Sequence, residues 1–488
     1  MRPAFQPAAA FAPVDYAALP YRFARLSADW VLVTSEAGDH EFLNSTEFAA
    51  LARGAPLTGE TLRNLESSHI VYAGDPSTAV RLLAAKLRSR KSFLRGGPSL
   101  HIFVVTLGCD HSCPYCQVSR RSHASDAFVM SSAVADHAVD RLFESPPRVL
   151  TVEFQGGEPL LAFPVIRRVV EKIEARNRTE GRRITYAIAT TLHHLTDDVL
   201  AFLKAHDFQV STSLDGPASL HNANRPLPGQ DAHALTLGGI ERVREAIGSD
   251  QISALTTLTR RSLSVPEAIV DEYVRLGFRS VFLRPLSPFG FARRSERRLG
   301  YGTDEFLAFY ERALDYIIAL NARGIDIEET YASILLSSIL TPFPTTYMDL
   351  RSPVGSGFGT LVYNYDGSVY ASDEGRMLRE MGEDSLRLGS VEQPYDELMR
   401  SPTMQLLAAA GLSEAQPGCS DCVFVPYCGP DPAGSLSRHG DPVGHRAESE
   451  HCKRHMGLFR ILFERLAHDQ TATEVFRRWV DGPAPAER

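Results

Sequence analysis

Seven cysteines carry most of the chemical information in this 488-residue chain. Cys109, Cys113 and Cys116 form a C-x3-C-x2-C run. Cys419, Cys422, Cys428 and Cys452 form a second group, and no cysteine lies between 117 and 418. An odd count in two tight groups does not make a disulfide framework, whereas clustered thiolates in a large chain point to metal or redox chemistry. Three thiolates hold three irons of a four-iron cluster and leave the fourth iron without a protein ligand. That open position is what a Lewis-acidic or redox cluster needs in order to bind substrate directly. A zinc knuckle completed by His111 is the competing use of the same residues. The four distal thiolates complete a closed site, zinc or a four-iron cluster, and spacing alone favours zinc.

In the run from Thr106 to Cys116, the aromatic Tyr115 stands immediately before the third cysteine. The run follows an apolar strand and resembles the signature of the radical S-adenosylmethionine (radical SAM) superfamily. Further positions match in order. Gly156, Gly157, Glu158 and Pro159 resemble the family's glycine-rich motif, which receives the methionine amino group of SAM. Glycines let backbone approach a ligand closely, and carbonyls or Glu158 accept hydrogen bonds from an ammonium. Ser213 matches a position that touches the SAM ribose or carboxylate, while Asp215 is read as shaping its loop. Leu286, in the stretch Leu283–Leu286, resembles the wall that holds adenine. Thr190 and Thr191 depart from the Asn-Gly common in relatives, and His193 and His194 read as helix-entry residues, with a catalytic role as the alternative.

The distal cysteines resemble the SPASM/twitch extension of radical SAM peptide-modifying enzymes, which implies an auxiliary [4Fe-4S] cluster on Cys419, Cys422, Cys428 and Cys452. The full pattern has more cysteines. Val354, Ser372 and Pro432 stand where ligands of an inner cluster are usual, so the resemblance implies one auxiliary cluster rather than two. All seven cysteines then have a use. Asp373 matches a carboxylate that acts as a base in sulfatase-maturing relatives; a turn aspartate is the plainer reading.

These residues need a scaffold. Apolar strand candidates at 101–107, 149–154, 184–189, 208–214, 252–258 and 280–285 alternate with amphipathic stretches such as 132–143, 164–175, 232–247 and 265–276. Six strand–helix units argue for a parallel sheet with its active site at the strand ends, an α/β partial (β/α)6 barrel of the TIM type. The helix 304–321 closes it. Before it, 30–34 and 40–43 read as a β-hairpin, and Asn44 through Glu47 offer a helix cap. After it, Asp366-Gly367 sits in a second hairpin, followed by the cysteine-rich region and a helix at 454–467. The expected division is an N-terminal extension 1–97 with a winged-helix-like peptide-recognition module at about 21–72, a barrel 98–325, a C-terminal auxiliary-cluster domain 326–470, and a tail 471–488. Residues 1–15 read as a loose lead-in.

Composition excludes other classes. Apolar residues are 44% and charged residues 23%, as in ordinary globular proteins. The formal charge of −8 gives no support for nucleic-acid binding. No apolar run is long enough to span a membrane, and the N-terminus lacks a signal-peptide pattern, so a cytoplasmic protein is expected.

The narrower resemblance, carried by 95–107, 153–161, 189–195, 213–217, 221–226 and 428–432, is to the B-type radical SAM maturases of His-Xaa-Ser systems. It implies a ribosomally made precursor peptide as partner, possession of SAM and two clusters, and a crosslink or other oxidative side-chain modification as product. It also implies a low-potential electron donor such as flavodoxin or ferredoxin, and a paired second radical SAM protein. A radical SAM enzyme acting on a sulfatase-like protein or a small molecule is the alternative, as is a non-catalytic zinc-binding scaffold.

Overall fold

The computed structural model describes residues 16–345 and 347–481. The lead-in 1–15 and the last residues, 482–488, lie outside the described residues. After a two-residue strand at Ala17–Ala18 come three short strands, β1 (Tyr21–Arg25), β2 (Trp30–Ser35) and β3 (His40–Asn44), paired antiparallel in that order. Alternation along β2 gives it two roles. Val31 and Val33 close a small core with Leu43, Leu51, Leu65 and Ile70, while Leu32 turns the other way into the main core. Asn44 caps the next helix, Ser45–Arg53, as its sequence implies. Its Oδ1 accepts from the backbone N–H of Thr46 and Glu47, and Glu47 accepts from Asn44 N–H in return.

The main sheet has nine strands. Six are parallel neighbours in chain order: β4 (Leu100–Thr106), β5 (Val149–Gly156), β6 (Arg183–Ala189), β7 (Gln209–Ser213), β8 (Ile252–Thr257) and β9 (Leu283–Arg284). Their inward side chains, among them Phe103, Phe154, Ile188, Val210 and Leu283, are buried. Helices Ser132–Glu144, Phe163–Glu180, Asp197–Ala205, Ala232–Ala246 and Pro266–Arg275 connect them, and Thr303–Ala322 follows β9. The chain is thus an α/β fold with a mixed sheet, the strand ends and their loops gathered on one side.

The expected hairpin is β10 (Thr360–Tyr363) and β11 (Ser368–Tyr370). With β12 (Arg387–Ser390) it extends the main sheet, β10 parallel to β4 and the two later strands antiparallel. The exposed edge of β4 is the physical reason: an unpaired buried strand leaves its backbone groups unsatisfied. The supposed tail also begins with a helix, Gln470–Asp481, which buries Ala472, Val475, Phe476 and Trp479. No helix among the described residues is long and apolar enough to cross a membrane.

Candidate active site

The proximal cysteines sit where β4 ends. Gly108–Cys109 pairs with Arg121–Ser122, so the intervening loop folds back on itself. The loop after β5 is stitched to the same place: Gly157 N–H donates to Thr106 O and Glu158 N–H to Gly108 O, each at 2.8 Å. A Cβ on Gly156 would lie 2.1 Å from Thr106 O, and one on Gly157 would lie 2.3 Å from Gly108 O. The glycines are therefore required by the approach of two backbones, before any ligand is considered.

One cavity of about 400 Å3 brings together Cys109, Cys113, Cys116, Tyr115, Gly156, Gly157 and Ser213, and extends to Asp373. Glu158, Pro159 and Leu286 are not among its lining residues. Glu158 is fully buried, and both its oxygens are already engaged: Oε1 accepts from Thr190 Oγ1 (2.6 Å) and Leu160 N–H (3.0 Å), Oε2 from Thr191 N–H (2.7 Å). It holds the β5 and β6 ends together through these bonds and stands behind the cavity wall that Gly156, Gly157, Thr190 and Thr191 form. Pro159 is buried at the start of the next short helix. Leu286 packs beside Cys113 and Tyr115 from outside, while its neighbours Pro285 and Ser287 face the cavity. Thr190 and Thr191, read as departures, line the cavity wall.

A buried charged group missing from the sequence reading lies beneath the cysteine loop. Tyr115 Oη donates to Asp215 Oδ2 and accepts from Arg225 Nη1, both at 2.8 Å, and Asp215 also accepts from Thr257 N–H. Burial raises the Asp215 carboxyl above its usual range, opposed by the Arg225 guanidinium. Burial also pushes the Cys113 thiol up to about 11, again against Arg225. Arg225 itself lines the cavity. Its partners are 10 and 110 positions away, so only the pairing of β7 with its neighbours could have revealed it; a lone arginine in a polar stretch gives no signal. Above the loop, Asp110 accepts from His111 Nδ1 and His194 Nε2, both at 3.0 Å. These bonds hold its carboxyl below the usual range despite partial burial. His194 thus ties the cysteine loop to the β6 end rather than merely entering a helix.

Asp373 begins the helix Asp373–Arg379, and its Oδ1 accepts from Arg376 Nε (2.9 Å) and Nη2 (2.7 Å). Glu374, next to it, faces both this cavity and a smaller one of about 100 Å3. Val354, Ser372 and Pro432, the three positions lacking cysteine, converge on that smaller cavity, with Asp349, Glu374, Asp431, Arg284 and Arg454 around them.

The four distal cysteines line a third cavity of about 380 Å3. Cys452 lies in the first turn of the helix Glu450–His468, and Ser449 caps that turn by accepting from Cys452 N–H. Burial raises the Cys419, Cys428 and Cys452 thiols, and Arg446 opposes this from beside them. The N-terminal strands are fastened to this loop. Arg22 donates to Ser420 O, Thr34 Oγ1 to Val423 O and Tyr427 Oη to Gly38 O. None of the seven cysteines forms a disulfide. Both groups therefore present unpaired soft donors facing a cavity of cluster-sized room, which fits iron–sulfur ligation.

Residues 103–264 match the model of the radical SAM superfamily and form a radical SAM domain. It is 25% identical over 289 residues to a cysteine-type anaerobic sulfatase-maturating enzyme of Clostridium perfringens, covering 56% of this chain and 74% of that one. Among solved structures it resembles native anSMEcpe with AdoMet bound, with a TM-score of 0.64 and 20% identity over 77% of this chain and 99% of that chain. It also resembles SuiB of Streptococcus suis bound to its precursor peptide SuiA, with a TM-score of 0.54 and 13% identity over 88% of this chain and 98% of that chain. The family implies a [4Fe-4S] cluster and SAM.

Proposed function

We propose that this protein is a maturase that modifies a ribosomally made precursor peptide of His-Xaa-Ser type. In this reading Cys109, Cys113 and Cys116 hold the SAM-binding [4Fe-4S] cluster of a partial (β/α)6 barrel. Cys419, Cys422, Cys428 and Cys452 hold an auxiliary [4Fe-4S] cluster in a SPASM/twitch-like domain. When bound, the proximal cluster and SAM supply one-electron cleavage of a carbon–sulfur bond and a 5′-deoxyadenosyl radical that removes hydrogen from a side chain.

The chain's own residues bind and orient. Backbone carbonyls around Gly156 and Gly157 are placed to accept from the ammonium of SAM. Ser213 and the Arg225 guanidinium are placed for its ribose and carboxylate, and the backbone of Pro285 for adenine. Tyr115, Asp215 and Arg225 fix the cysteine loop and keep water from it. Asp373, pinned by Arg376 and lining the cavity, is the candidate base. The module at about 21–72 presents the outer edge of β1 for strand addition by a leader peptide.

The observation that carries the reading is the single cavity running from the three cysteines to Asp373. Its support for a peptide substrate is that both neighbours are known with a peptide bound, SuiB with its precursor SuiA and anSMEcpe with Kp18Cys. A second reading, action on a sulfatase-like protein, is favoured by the named sulfatase-maturating relative. The test is anaerobic incubation of reconstituted protein with SAM, reductant and a His-Xaa-Ser peptide, read by mass spectrometry. Loss of two hydrogens per event together with 5′-deoxyadenosine supports the proposal. Turnover of a sulfatase peptide but not of this one would replace it with the second reading.

A further inference from the structure

Residues 290–299 hold four arginines and one glutamate in a chain whose overall charge is −8. They fold into two short helices, Gly290–Arg294 and Glu296–Leu299. The inner side of this pair lies directly on the proximal cysteine loop. Ala292 and Leu299 pack with Cys113 and Tyr115, and Cys116 joins them at the edge. Phe291 N–H donates to Cys116 O at 2.8 Å, and Gly290, at φ 58°, comes so close that a Cβ would lie 2.7 Å from the same oxygen. The outer side is the basic one. Arg293, Arg294, Arg297 and Arg298 are all exposed. Arg293 makes a loose pair with Glu296 at 3.4 Å. The other three form no ion pair among the described residues.

We propose that this arginine face is the docking surface for an acidic, low-potential one-electron carrier protein. The argument joins position and charge. A helix with its side chains is about 10 Å across, so a partner seated on the arginines stands one helix layer from the cysteine loop. Uncompensated positive charge on an otherwise acidic protein attracts an acidic partner to this place and repels it elsewhere. The two helices are held by Ala292, Leu299 and Gly290, and of the three unpaired arginines only Arg294 has a packing partner, lying over the Phe291 ring. The step is a single electron transfer: the carrier is oxidised by one electron and the cluster held by Cys109, Cys113 and Cys116 is reduced by one, with no proton or further reactant required. The inference rests on the reading of those cysteines as cluster ligands.

The test uses reconstituted full-length protein and a purified acidic flavodoxin, reduced and mixed in a stopped-flow instrument while cluster absorbance is followed. The triple variant Arg294→Glu, Arg297→Glu, Arg298→Glu is expected to be reduced at least about tenfold more slowly than the wild type. The wild-type rate should fall as ionic strength rises, and dithionite should bleach both proteins equally. An Arg→Gln set at the same positions, gentler on folding, should give an intermediate loss. Wild-type reduction rates in the charge-reversed protein, or a wild-type rate indifferent to salt, would overturn the proposal. Absence of any dithionite-bleached iron–sulfur absorbance in the wild type would instead remove the cluster reading beneath it.

Discussion

The proximal and distal cysteine groups differ in count, setting and reach. Three proximal thiols face a cavity that continues past Ser213 and Arg225 to Asp373. Four distal thiols face a cavity walled by their own loop, Phe424, Met456 and Phe459. The proximal loop is tied to strand ends of the main sheet through Tyr115–Asp215–Arg225 and Asp110–His194. The distal loop is tied to the N-terminal strands through Arg22, Thr34 and Gly38. The contrast teaches that thiol count and what each cavity connects to, rather than cavity size, distinguish the two groups.

The largest effect should come from removing one proximal ligand. Cys116→Ala is expected to abolish SAM cleavage, measured as 5′-deoxyadenosine, because the loop then offers too few sulfurs. Removing a distal ligand should act differently. Cys422→Ala is expected to lower iron from about eight to about four per chain, while SAM cleavage continues without peptide modification. Equal loss of cleavage in both variants would erase the distinction between the sites.

Arg225→Ala probes the support beneath the open site. It removes the donor to Tyr115 Oη and the positive charge that opposes the burial of Asp215. A lower Tm and weaker SAM binding should appear together, with distal iron retained. Glu374 lies in the corridor between the sites, where burial and the nearby Asp349 and Asp373 raise its carboxyl well above the ordinary value of 4.5. The folded state therefore keeps a proton that the unfolded chain releases. That contribution to stability is full below about pH 4.5 and is lost as pH rises through the raised folded value. Glu374→Gln should flatten this fall, as read by Tm against pH. The smallest effect is electronic. Arg446 places positive charge beside the distal thiols, so Arg446→Met should move the distal reduction potential to more negative values and leave the proximal one unchanged in a redox titration followed by EPR.

Much of this was legible in the sequence for a physical reason. Strands β4 through β8 are short apolar runs bounded by turns, and their buried positions follow from period and composition. The cysteines declare themselves by spacing. What stayed hidden depends on contacts distant in sequence. Glu158 looks like a ligand-facing acid until Thr190 and Thr191, over 30 positions on, occupy its oxygens. Arg225 and His194 look like loop residues until the strands bring Tyr115 and Asp110 to them. The pairing of β10 with β4 spans most of the sheet's sequence, and a hairpin signal says nothing about which edge the hairpin will join. The helix Gln470–Asp481 was missed because its charged residues mask a narrow apolar stripe of Ala472, Val475, Phe476 and Trp479.

The central claim is that SAM binds at the proximal site and not at the distal one. Electron–nuclear double resonance on reduced, anaerobic protein with isotope-labelled SAM tests it directly. Coupling of the label to one cluster, lost in Cys116→Ala and kept in Cys422→Ala, is the predicted result. Iron-loaded wild-type protein that shows no coupling, or a coupling abolished only by Cys422→Ala, would contradict it.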